Sequence, residues 1–239
     1  MGYRETAAPA PLGELIECRW TNDTPHRGAR VLPDGCMDLI AIADEVIVAG
    51  PDITAVVSDH ASGPLTGLRF LPGVLPRLLG VPASELTGQR VPLGDLCDVA
   101  RRPLILDALA VSLAADGPRS ETAPWSLSTL HHVTHRLAAG ARVSGVADEI
   151  GWSVRTVRRQ CETVYGYGPA TLRRILRFRR VVELLRAETS TADAAAAAGY
   201  ADQPHMHREV RGFAGVSVSQ LANGANRSTD VPSASTTVA

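Results

Sequence analysis

The feature that most constrains this chain is the stretch Val143–Val164, which has the spacing of two short helices joined by a sharp turn. Ala147 is small enough for two crossing helices to approach, Gly151 permits the turn, and Val157 is an apolar anchor in the second helix. Ser153 can cap that second helix, because its hydroxyl can accept a hydrogen bond from an unpaired amide of the first turn. The stretch predicts a helix-turn-helix unit.

The second helix of this unit separates an apolar side from a basic side. An exposed arginine cluster that stands alone is usually only a solvated surface. Here the turn glycine, the cap and the small residue indicate one supersecondary unit, and this agreement favours a helix that reads DNA. The apolar positions are Val154, Val157, Cys161 and Val164, and the basic positions are Arg155, Arg158 and Arg159.

Charge is divided unequally along the chain. The 239 residues have a formal net charge of -1, which argues against a uniformly basic nucleic-acid binder. Residues 129–221, however, contain 13 arginines and 8 acidic residues, a net charge of +5, whereas the remainder has a net charge of -6. The basic segment is therefore the candidate nucleic-acid module. The chain has no lysine, so the abundance of arginine by itself is weak support for DNA contacts.

Cysteine spacing and hydropathy argue against several protein classes. The four cysteines form no C-x-x-C pair, so neither a zinc site nor a disulfide framework is expected. The N terminus lacks a basic-then-apolar signal pattern, and no apolar run approaches the roughly 18 to 20 residues that span a bilayer. The sequence predicts a soluble, cytoplasmic protein that binds no metal, no cofactor and no membrane.

The first half of the chain has an α+β pattern. Short apolar runs bounded by Pro, Gly, Asp or Asn are typical of a small antiparallel sheet or barrel. After Pro72 the pattern becomes helical, at Val74–Leu79, Ala83–Leu86 and Pro103–Ala115. The predicted strands are Leu15–Trp20, Arg30–Leu32, Asp38–Ile42, Val46–Ala49, Ala55–Ser58 and Gly67–Leu71.

The second half has an all-α pattern. Ser126 is the predicted cap of a helix that runs to Ala139, ahead of the helix-turn-helix unit. Gly166 ends the recognition helix, and a long helix of roughly 27 Å follows from Pro169 to about Ala187.

A second helix-turn-helix unit can be recognised after the long helix. Thr191 is the predicted cap of a helix through Ala198, Ala195 is the small packing residue, and Gly199 is at the turn. The turn is one residue longer than in the first unit, because Asp202 is the predicted cap of the next helix. The apolar positions of that helix are Met206, Val210 and Phe213, and the residues available to DNA are Gln203, His205, His207 and Arg208. An alanine run such as 194–198 would be helical in any protein, so this unit has less support than the first.

These patterns divide the chain into five segments. The termini, residues 1–13 and 223–239, are Ala/Pro-rich and Ser/Thr-rich, and both are expected to be disordered. An α+β sensor or dimerisation domain at 14–115 and an all-α DNA-binding domain at 126–222 are joined by a linker at 116–125.

The two units and the segment GYADQPHMHREVRGFAGVSVSQL resemble the DNA-binding domain of AraC/XylS-type transcription regulators. The resemblance covers roughly Ser128 to Leu221. It implies two recognition helices in successive major-groove segments, about one helical turn or 34 Å apart. It assigns Ser153, Arg155, Arg158 and Arg159 to the first helix, and Gln203, His205, His207 and Arg208 to the second. The arginines could contact guanine and Gln203 adenine, or some of them could hold phosphates.

The sequence departs from this family at three positions. Cys161 stands where an aromatic residue is common, Val210 stands where Phe is usual, and Pro204 replaces a frequent polar base-contacting residue. We therefore expect the second unit to discriminate bases less than the first.

The N-terminal half resembles an uncharacterised domain that precedes such DNA-binding domains and is related to cupin-like sensor barrels. The resemblance is carried by LPDGCMDLI, by the GPD at 50–52 and by LRFLPGVLPRLLGVPASELTGQRVPLGDL. Within it, Asp34, Asp38 and Arg69 are polar residues embedded in apolar strands, which predicts a buried ion pair. The sequence leaves open whether they fix the Pro-Asp-Gly turn or anchor a ligand. Cys36 and His60 are weaker candidates for a metal or redox site.

The predicted function is a sequence-specific transcription regulator without catalytic activity. Its expected partner is double-stranded promoter or operator DNA, and its N-terminal domain is expected to sense a small-molecule effector or to mediate dimerisation. RNA polymerase and a second copy of the chain are further candidate partners implied by the family. The alternative is a DNA-binding domain fused to an alkyl-transferring repair enzyme, which would require an activated cysteine thiolate.

Overall fold

The computed structural model of this chain describes residues 2–8, 10, 12–23, 29–58, 64–98, 105–225 and 230–231. In this part of the chain an antiparallel N-terminal sheet domain is followed by a helical C-terminal domain, which confirms the predicted fold class. The strands are β1 (Tyr3–Ala7), β2 (Ile16–Asn22), β3 (Ala29–Val31), β4 (Met37–Ile42), β5 (Glu45–Ala49), β6 (Val56–Ser58), β7 (Leu65–Phe70), β8 (Arg90–Pro92) and β9 (Asp230–Val231).

The larger sheet has six strands in the order β1-β2-β7-β4-β5-β8, and every neighbouring pair is antiparallel. Strand β2 shows how the sequence builds it: Ile16, Cys18 and Trp20 are buried on one face, while Glu17 and Arg19 between them are less buried. This period of two is the expected pattern for a strand whose one face covers a core. A smaller sheet has the order β6-β3-β9 and lies beside the first.

The N-terminal segment is not disordered as predicted, because residues 3–7 form the edge strand β1. Tyr3 pairs with Asn22 and Ala7 with Cys18 in β2, and Leu12 is buried in the core. The sequence of β1 has no apolar alternation. Its order depends on pairing with β2, which local sequence does not reveal.

The predicted disorder of the C-terminal segment is also wrong in part. The last helix continues to Ala225, and Asp230–Val231 pairs in parallel with β3. Residues 226–229 and 232–239 lie outside the described residues. The short strand β8, which pairs with β5, is a further element that the sequence pattern did not predict.

Three helices complete the N-terminal domain: α1 (Val74–Leu79), α2 (Ala83–Leu86) and α3 (Leu106–Ala115). The first two have the predicted bounds, and the predicted start of the third at Pro103 lies outside the described residues.

The segment after α3, which was predicted to be a linker, packs against α1. The Thr122 hydroxyl donates to the Pro76 carbonyl at 2.8 Å, and the Arg119 amide donates to the Arg77 carbonyl at 2.9 Å. Trp125 at its end is buried. The segment is therefore a structured connection between the two domains.

The C-terminal domain consists of helices whose ends agree with their capping residues. Ser126 caps the first of them by accepting from the Thr129 amide at 3.1 Å, and Gly166 ends the recognition helix in a left-handed conformation. The long helix has 18 residues, a length of about 27 Å. The helices are α4 (Leu127–Ala138), α5 (Val143–Glu149), α6 (Val154–Tyr165), α7 (Pro169–Arg186), α8 (Thr191–Ala197), α9 (Gln203–Ala214) and α10 (Val218–Ala225).

The two domains share one hydrophobic core and several polar contacts. Helices α1 and α2 pack against α6. The Thr87 hydroxyl donates to the Gly166 carbonyl at 3.2 Å, and the Ala55 amide donates to the Phe213 carbonyl at 2.7 Å. Arg179 in α7 binds Glu17 in β2 through two guanidinium nitrogens. The N-terminal domain therefore contacts α6, α9 and the long helix α7 between them.

None of the helices in the described ranges combines the length and the apolar composition needed to cross a membrane.

Candidate nucleic-acid interface and ligand cavity

The first helix-turn-helix unit, α5 and α6, has the predicted turn and cap. Gly151 has φ +70°, and the Trp152 amide donates to the Ala147 carbonyl at 2.9 Å across the turn. The Ser153 hydroxyl accepts from the Thr156 amide at 3.1 Å and so caps α6. Ala147 is fully buried at the helix crossing, as its small size predicted.

Helix α6 separates buried and exposed faces as expected. Val157, Cys161, Val164 and Tyr165 are buried, and the first of the predicted apolar positions, Val154, is only partly buried. Ser153, Arg155, Arg158 and Arg159 are exposed. All four predicted residues of the first helix are therefore accessible to solvent.

The three α6 arginines differ from most other arginines of this domain. Within the described residues, Arg155, Arg158 and Arg159 have no ion-pair or hydrogen-bond partner. Among the other arginines, Arg136 makes a bidentate contact with Glu149 and Arg180 pairs with Glu183. The exposed Arg142, Arg208 and Arg211, like the three of α6, have no such partner within the described residues. Unpaired guanidinium groups on one helix face are able to contact phosphates or the O6 and N7 atoms of guanine.

The second unit, α8 and α9, repeats the geometry of the first. Gly199 has φ +74°, and the Tyr200 amide donates to the Ala195 carbonyl at 2.9 Å, as at the first turn. Asp202 caps α9 by accepting from the His205 amide at 2.6 Å, and this cap lies one residue further from the turn glycine, as predicted. Met206, Val210 and Phe213 are buried.

The predicted cap of α8 is wrong by one residue. The Ser190 hydroxyl accepts from the Asp193 amide at 3.1 Å, so Ser190 is the cap and Thr191 is the first helical residue. Serine and threonine are adjacent here and both are good caps, so sequence alone does not choose between them.

The exposed residues of α9 do not all have equivalent surroundings. Gln203, His207 and Arg208 are exposed. His205 is partly buried: its ring meets Tyr200 edge to face at 5.2 Å, and its Nε2 lies 3.8 Å from Glu209. His205 is therefore less available to DNA than its three neighbours.

Glu209 is a buried carboxylate that the sequence analysis missed. It accepts hydrogen bonds from Arg174, Arg177 and Tyr200 at 2.8 to 3.1 Å, and so joins α9 to α7. Burial alone would raise the pKa of Glu209, but the hydrogen bonds from Arg177 and Arg174 lower it below its ordinary value. A signal was present, because Glu209 occupies the same helix face as Met206, Val210 and Phe213.

The N-terminal domain contains the three residues predicted to form a buried ion pair, and the structure brings them together. Asp38 in β4 lies opposite Arg69 in β7, and their side chains are 3.3 Å apart. Asp34 in the preceding turn reaches the same guanidinium at 3.2 Å. Glu5 in β1 adds a third carboxylate, 3.2 Å from the Arg69 guanidinium. This contact was not predicted, because strand β1 itself was not predicted.

Asp34, Asp38 and Arg69 line a cavity of about 460 Å³ between the two sheets. Asp52 and Arg90 form a second, bidentate ion pair in the cavity wall, in which the two terminal guanidinium nitrogens donate to the two carboxylate oxygens at 2.6 and 3.2 Å. Burial raises the pKa of Asp38 to about 6, although the charge of Arg69 opposes this shift. Burial also raises the pKa of Asp52 despite its bonds to Arg90.

The minor candidates for metal or redox chemistry have no support in the structure. Burial raises the pKa of the Cys36 thiol well above its ordinary value, so the reactive thiolate is disfavoured. His60 lies outside the described residues. Among the residues that the structure does describe, no three His, Cys, Asp or Glu side chains are grouped as a metal site would require.

Two family models match separate parts of the chain. Residues 146–224 match a family described as a helix-turn-helix domain, of the AraC type, and this range covers the second unit and all but the first three residues of the first. The C-terminal domain is an AraC-type helix-turn-helix domain. Residues 4–92, ahead of the AraC-type domain, match a family described only as a domain of unknown function. The presence of the AraC-type domain makes the chain a DNA-binding transcription regulator.

No curated protein matches the chain. Solved structures with a similar arrangement include ToxT from Vibrio cholerae, at 9% identity over 93% of this chain and 98% of that one, with a TM-score of 0.48. ToxT from Vibrio cholerae O395 matches at 10% identity over 95% and 99%, with a TM-score of 0.44. A ToxT structure with bound unsaturated fatty acid matches at 8% identity over 84% and 91%, with a TM-score of 0.44.

Proposed function

We propose that this regulator recognises promoter or operator DNA by placing α6 and α9 in two successive major-groove segments. The main support for the proposal is that α6 has exposed arginines without partners in the described residues. Helix α9, which has the corresponding position in the second unit, also has exposed polar residues. The first helix reads through Ser153, Arg155, Arg158 and Arg159. The second reads through Gln203, His207 and Arg208, with His205 contributing least because it turns toward Glu209.

The long helix α7 supports reading at a fixed separation. It connects the two units, and Glu209 fixes α9 to it through Arg174 and Arg177. Helices that read two successive major-groove segments must be about one turn, or 34 Å, apart. We expect an asymmetric site of roughly 17 to 20 base pairs for one protomer.

We also propose that the cavity of the N-terminal domain holds a small-molecule effector. Two contact paths lead from the cavity to the DNA-binding domain. Strand β6 lines the cavity, and Ala55 just before it donates to Phe213 at the end of α9. Along the second path, Asp34 accepts from the Cys36 amide, and the Cys36 thiol lies 3.1 Å from Glu17, the partner of Arg179 in α7.

The alternative of an alkyl-transferring enzyme gains no support. Such a reaction needs an activated thiolate. The thiolate is disfavoured at the three buried cysteines, because burial raises the pKa of Cys18 and of Cys161 to about 12, and that of Cys36 well above its ordinary value. RNA polymerase and a second copy of the chain stay candidate partners of the DNA-bound regulator.

The proposal is tested by selecting bound duplexes from a random DNA pool with the full-length chain at one fixed salt concentration, since phosphate-driven affinity depends on salt. We expect a bipartite consensus with two short blocks about one helical turn apart. A single block would show that α9 only contacts the backbone. A pool without any enrichment would overturn the assignment of both helices.

A further inference from the structure

The charges around the cavity point to the class of molecule that it holds. We propose that its ligand is an apolar molecule with a positively charged amine head group, and that this head group binds beside Asp34 and Asp38. This inference rests on the proposed effector role of the cavity and adds the chemistry of the ligand.

Negative charge exceeds positive charge in the cavity wall, which holds three aspartates (Asp34, Asp38, Asp52) and two arginines (Arg69, Arg90). Arg69 is contacted by Asp34, Asp38 and Glu5 at 3.2 to 3.3 Å, so one guanidinium is shared by three carboxylates. The Arg69 side chain is only 4% exposed, and water therefore screens this cluster weakly. Buried carboxylates without a matching cation are costly, and an additional cation placed between them would be stabilised.

The same arrangement disfavours a carboxylate or phosphate ligand. An anion would need a cation to bind, but both lining arginines are already engaged by carboxylates. Arg69 is bound by Asp34, Asp38 and Glu5. Both terminal nitrogens of Arg90 bind Asp52. Among the described lining residues there is no third cationic side chain.

The remainder of the cavity would accommodate an apolar body. Aliphatic side chains of β4, β5, β6 and the start of β7 form a large part of its wall. A wall of this kind with a few polar groups at one end is typical of sites for small organic molecules. The main apolar residues are Ile40, Ile42, Ile47, Val56, Val57 and Leu65.

An unpartnered hydroxyl provides an independent observation at the same end. Tyr167, in the turn between α6 and α7, is 5% exposed, and its hydroxyl has no hydrogen-bond partner in the described structure. It approaches Gly35, and the charges of Asp34, Cys36 and Asp52 act on it. A buried hydroxyl without a partner is unusual. Tyr167 does not itself line the cavity, but its hydroxyl lies beside Gly35, between the lining residues Asp34 and Cys36.

Three probes that differ only in their head group test the inference: hexylamine, hexanol and hexanoate, titrated calorimetrically into the full-length chain at neutral pH. We expect hexylamine to bind at least tenfold more tightly than hexanol, and hexanoate to bind most weakly. Equal or tighter binding of hexanol or hexanoate would overturn the amine assignment while leaving the effector role in place. If none of the three probes binds, both the amine assignment and the proposed effector role of the cavity are overturned.

A variant locates the head group. Asp34→Asn retains an oxygen for the Cys36 amide but removes the charge, so we expect hexylamine affinity to fall to that of hexanol. Unchanged hexanol affinity would show that the cavity is intact in this variant. Asp23→Asn is the matched control, because Asp23 is an exposed carboxylate paired with Arg4 outside the cavity lining, and it should change neither affinity. A retained preference for hexylamine in Asp34→Asn would contradict the proposed location.

Discussion

Individual arginines of the DNA-binding domain have two kinds of surroundings, which their sequence positions do not distinguish. Arg174 and Arg177 bind the buried Glu209, and Arg179 binds Glu17 across the domain boundary. Arg155, Arg158 and Arg159 have no such partners within the described structure and are exposed. The composition of the chain, which contains arginine but no lysine, could not separate these groups. The positions of the carboxylates separate them.

Arg158→Ala tests the reading role of this face. If Arg158 contacts guanine, we expect a loss of about 1–3 kcal/mol in DNA binding and relaxed preference at one base pair. Competition binding with duplexes changed at each position measures both. Arg180→Ala is the matched control, because Arg180 is an exposed arginine of α7 paired with Glu183. A uniform loss over all sequences, with a salt slope reduced by about one, would show that Arg158 contacts only phosphate.

Asp38 gives the N-terminal domain a defined pH dependence. Its pKa in the folded chain is raised to about 6 by burial, above the unfolded value of about 3.9. Between these two pKa values the folded state binds the Asp38 proton more tightly than the unfolded state does. The stability that this proton contributes is therefore present at low pH and is lost as the pH rises toward 7. We expect a decrease of about 1–3 kcal/mol over this range.

Urea unfolding of the full chain at pH 5 and pH 7 measures this effect. Asp38→Asn should show a smaller decrease than the original chain, since the amide does not titrate while its oxygen can still accept from Trp20. An identical decrease in both proteins would assign the pH dependence to other groups.

At the scale of elements, α6 and α9 both end at a left-handed glycine, but the two glycines have different surroundings. Gly166 after α6 and Gly215 after α9 are both left-handed caps, with φ +84° and +69°. A Cβ on Gly166 would lie 2.5 Å from the Thr87 hydroxyl and 2.8 Å from Pro51, whereas at Gly215 the nearest atom is 3.6 Å away. The first cap is therefore packed more tightly against the N-terminal domain than the second, whose nearest neighbour is Arg30 in β3.

This difference predicts unequal effects of the same substitution. Gly215→Ala should lower the free energy of unfolding by about 1–2 kcal/mol, the cost of the left-handed backbone alone. Gly166→Ala should lower it further, because the added methyl group also displaces Thr87 or Pro51. Thermal unfolding of both variants makes the comparison. Equal destabilisation would mean that the contact between α2 and α6 is looser than the structure shows.

Glu209 attaches α9 to α7. A change at Glu209 can weaken this attachment without altering the first helix-turn-helix unit. Glu209→Gln removes the negative charge of the acceptor that binds Arg174 and Arg177, which should cost about 1–3 kcal/mol of stability. We expect base preference in the second block of the binding site to weaken while preference in the first block is unchanged. Binding-site selection with the variant measures both blocks in one experiment. Equal weakening of the two blocks would refute a local role for Glu209.

The elements show which structural features local sequence can predict. Helix starts at Ser126, Ser153 and Asp202 were predictable because a cap and an apolar period coincide there. Strand β1 was missed because its order arises from pairing with β2 and from the contact between Glu5 and Arg69. The Glu209 cluster was missed for a related reason: its partners lie 9 to 35 residues away in sequence.

In the whole molecule, the opposite net charges of the two halves have a structural counterpart. Excess carboxylates surround Arg69 in the N-terminal domain, and the unpaired arginines lie on the free face of α6 in the C-terminal domain. The domains are joined by a shared core and by contacts from β6 to α9 and from β2 to α7. A change in the cavity therefore has a short path to both the second recognition helix and the long helix.

The central claim is that α7 holds two base-reading helices at one fixed separation. The most direct test measures the affinity of the full chain for its selected bipartite site, and for the same site with five base pairs inserted between the blocks. The insertion turns the second block to the opposite face of the duplex. We expect affinity to fall by about tenfold or more, to the level of a site whose second block is scrambled. Equal affinity for the original and lengthened sites would contradict the claim.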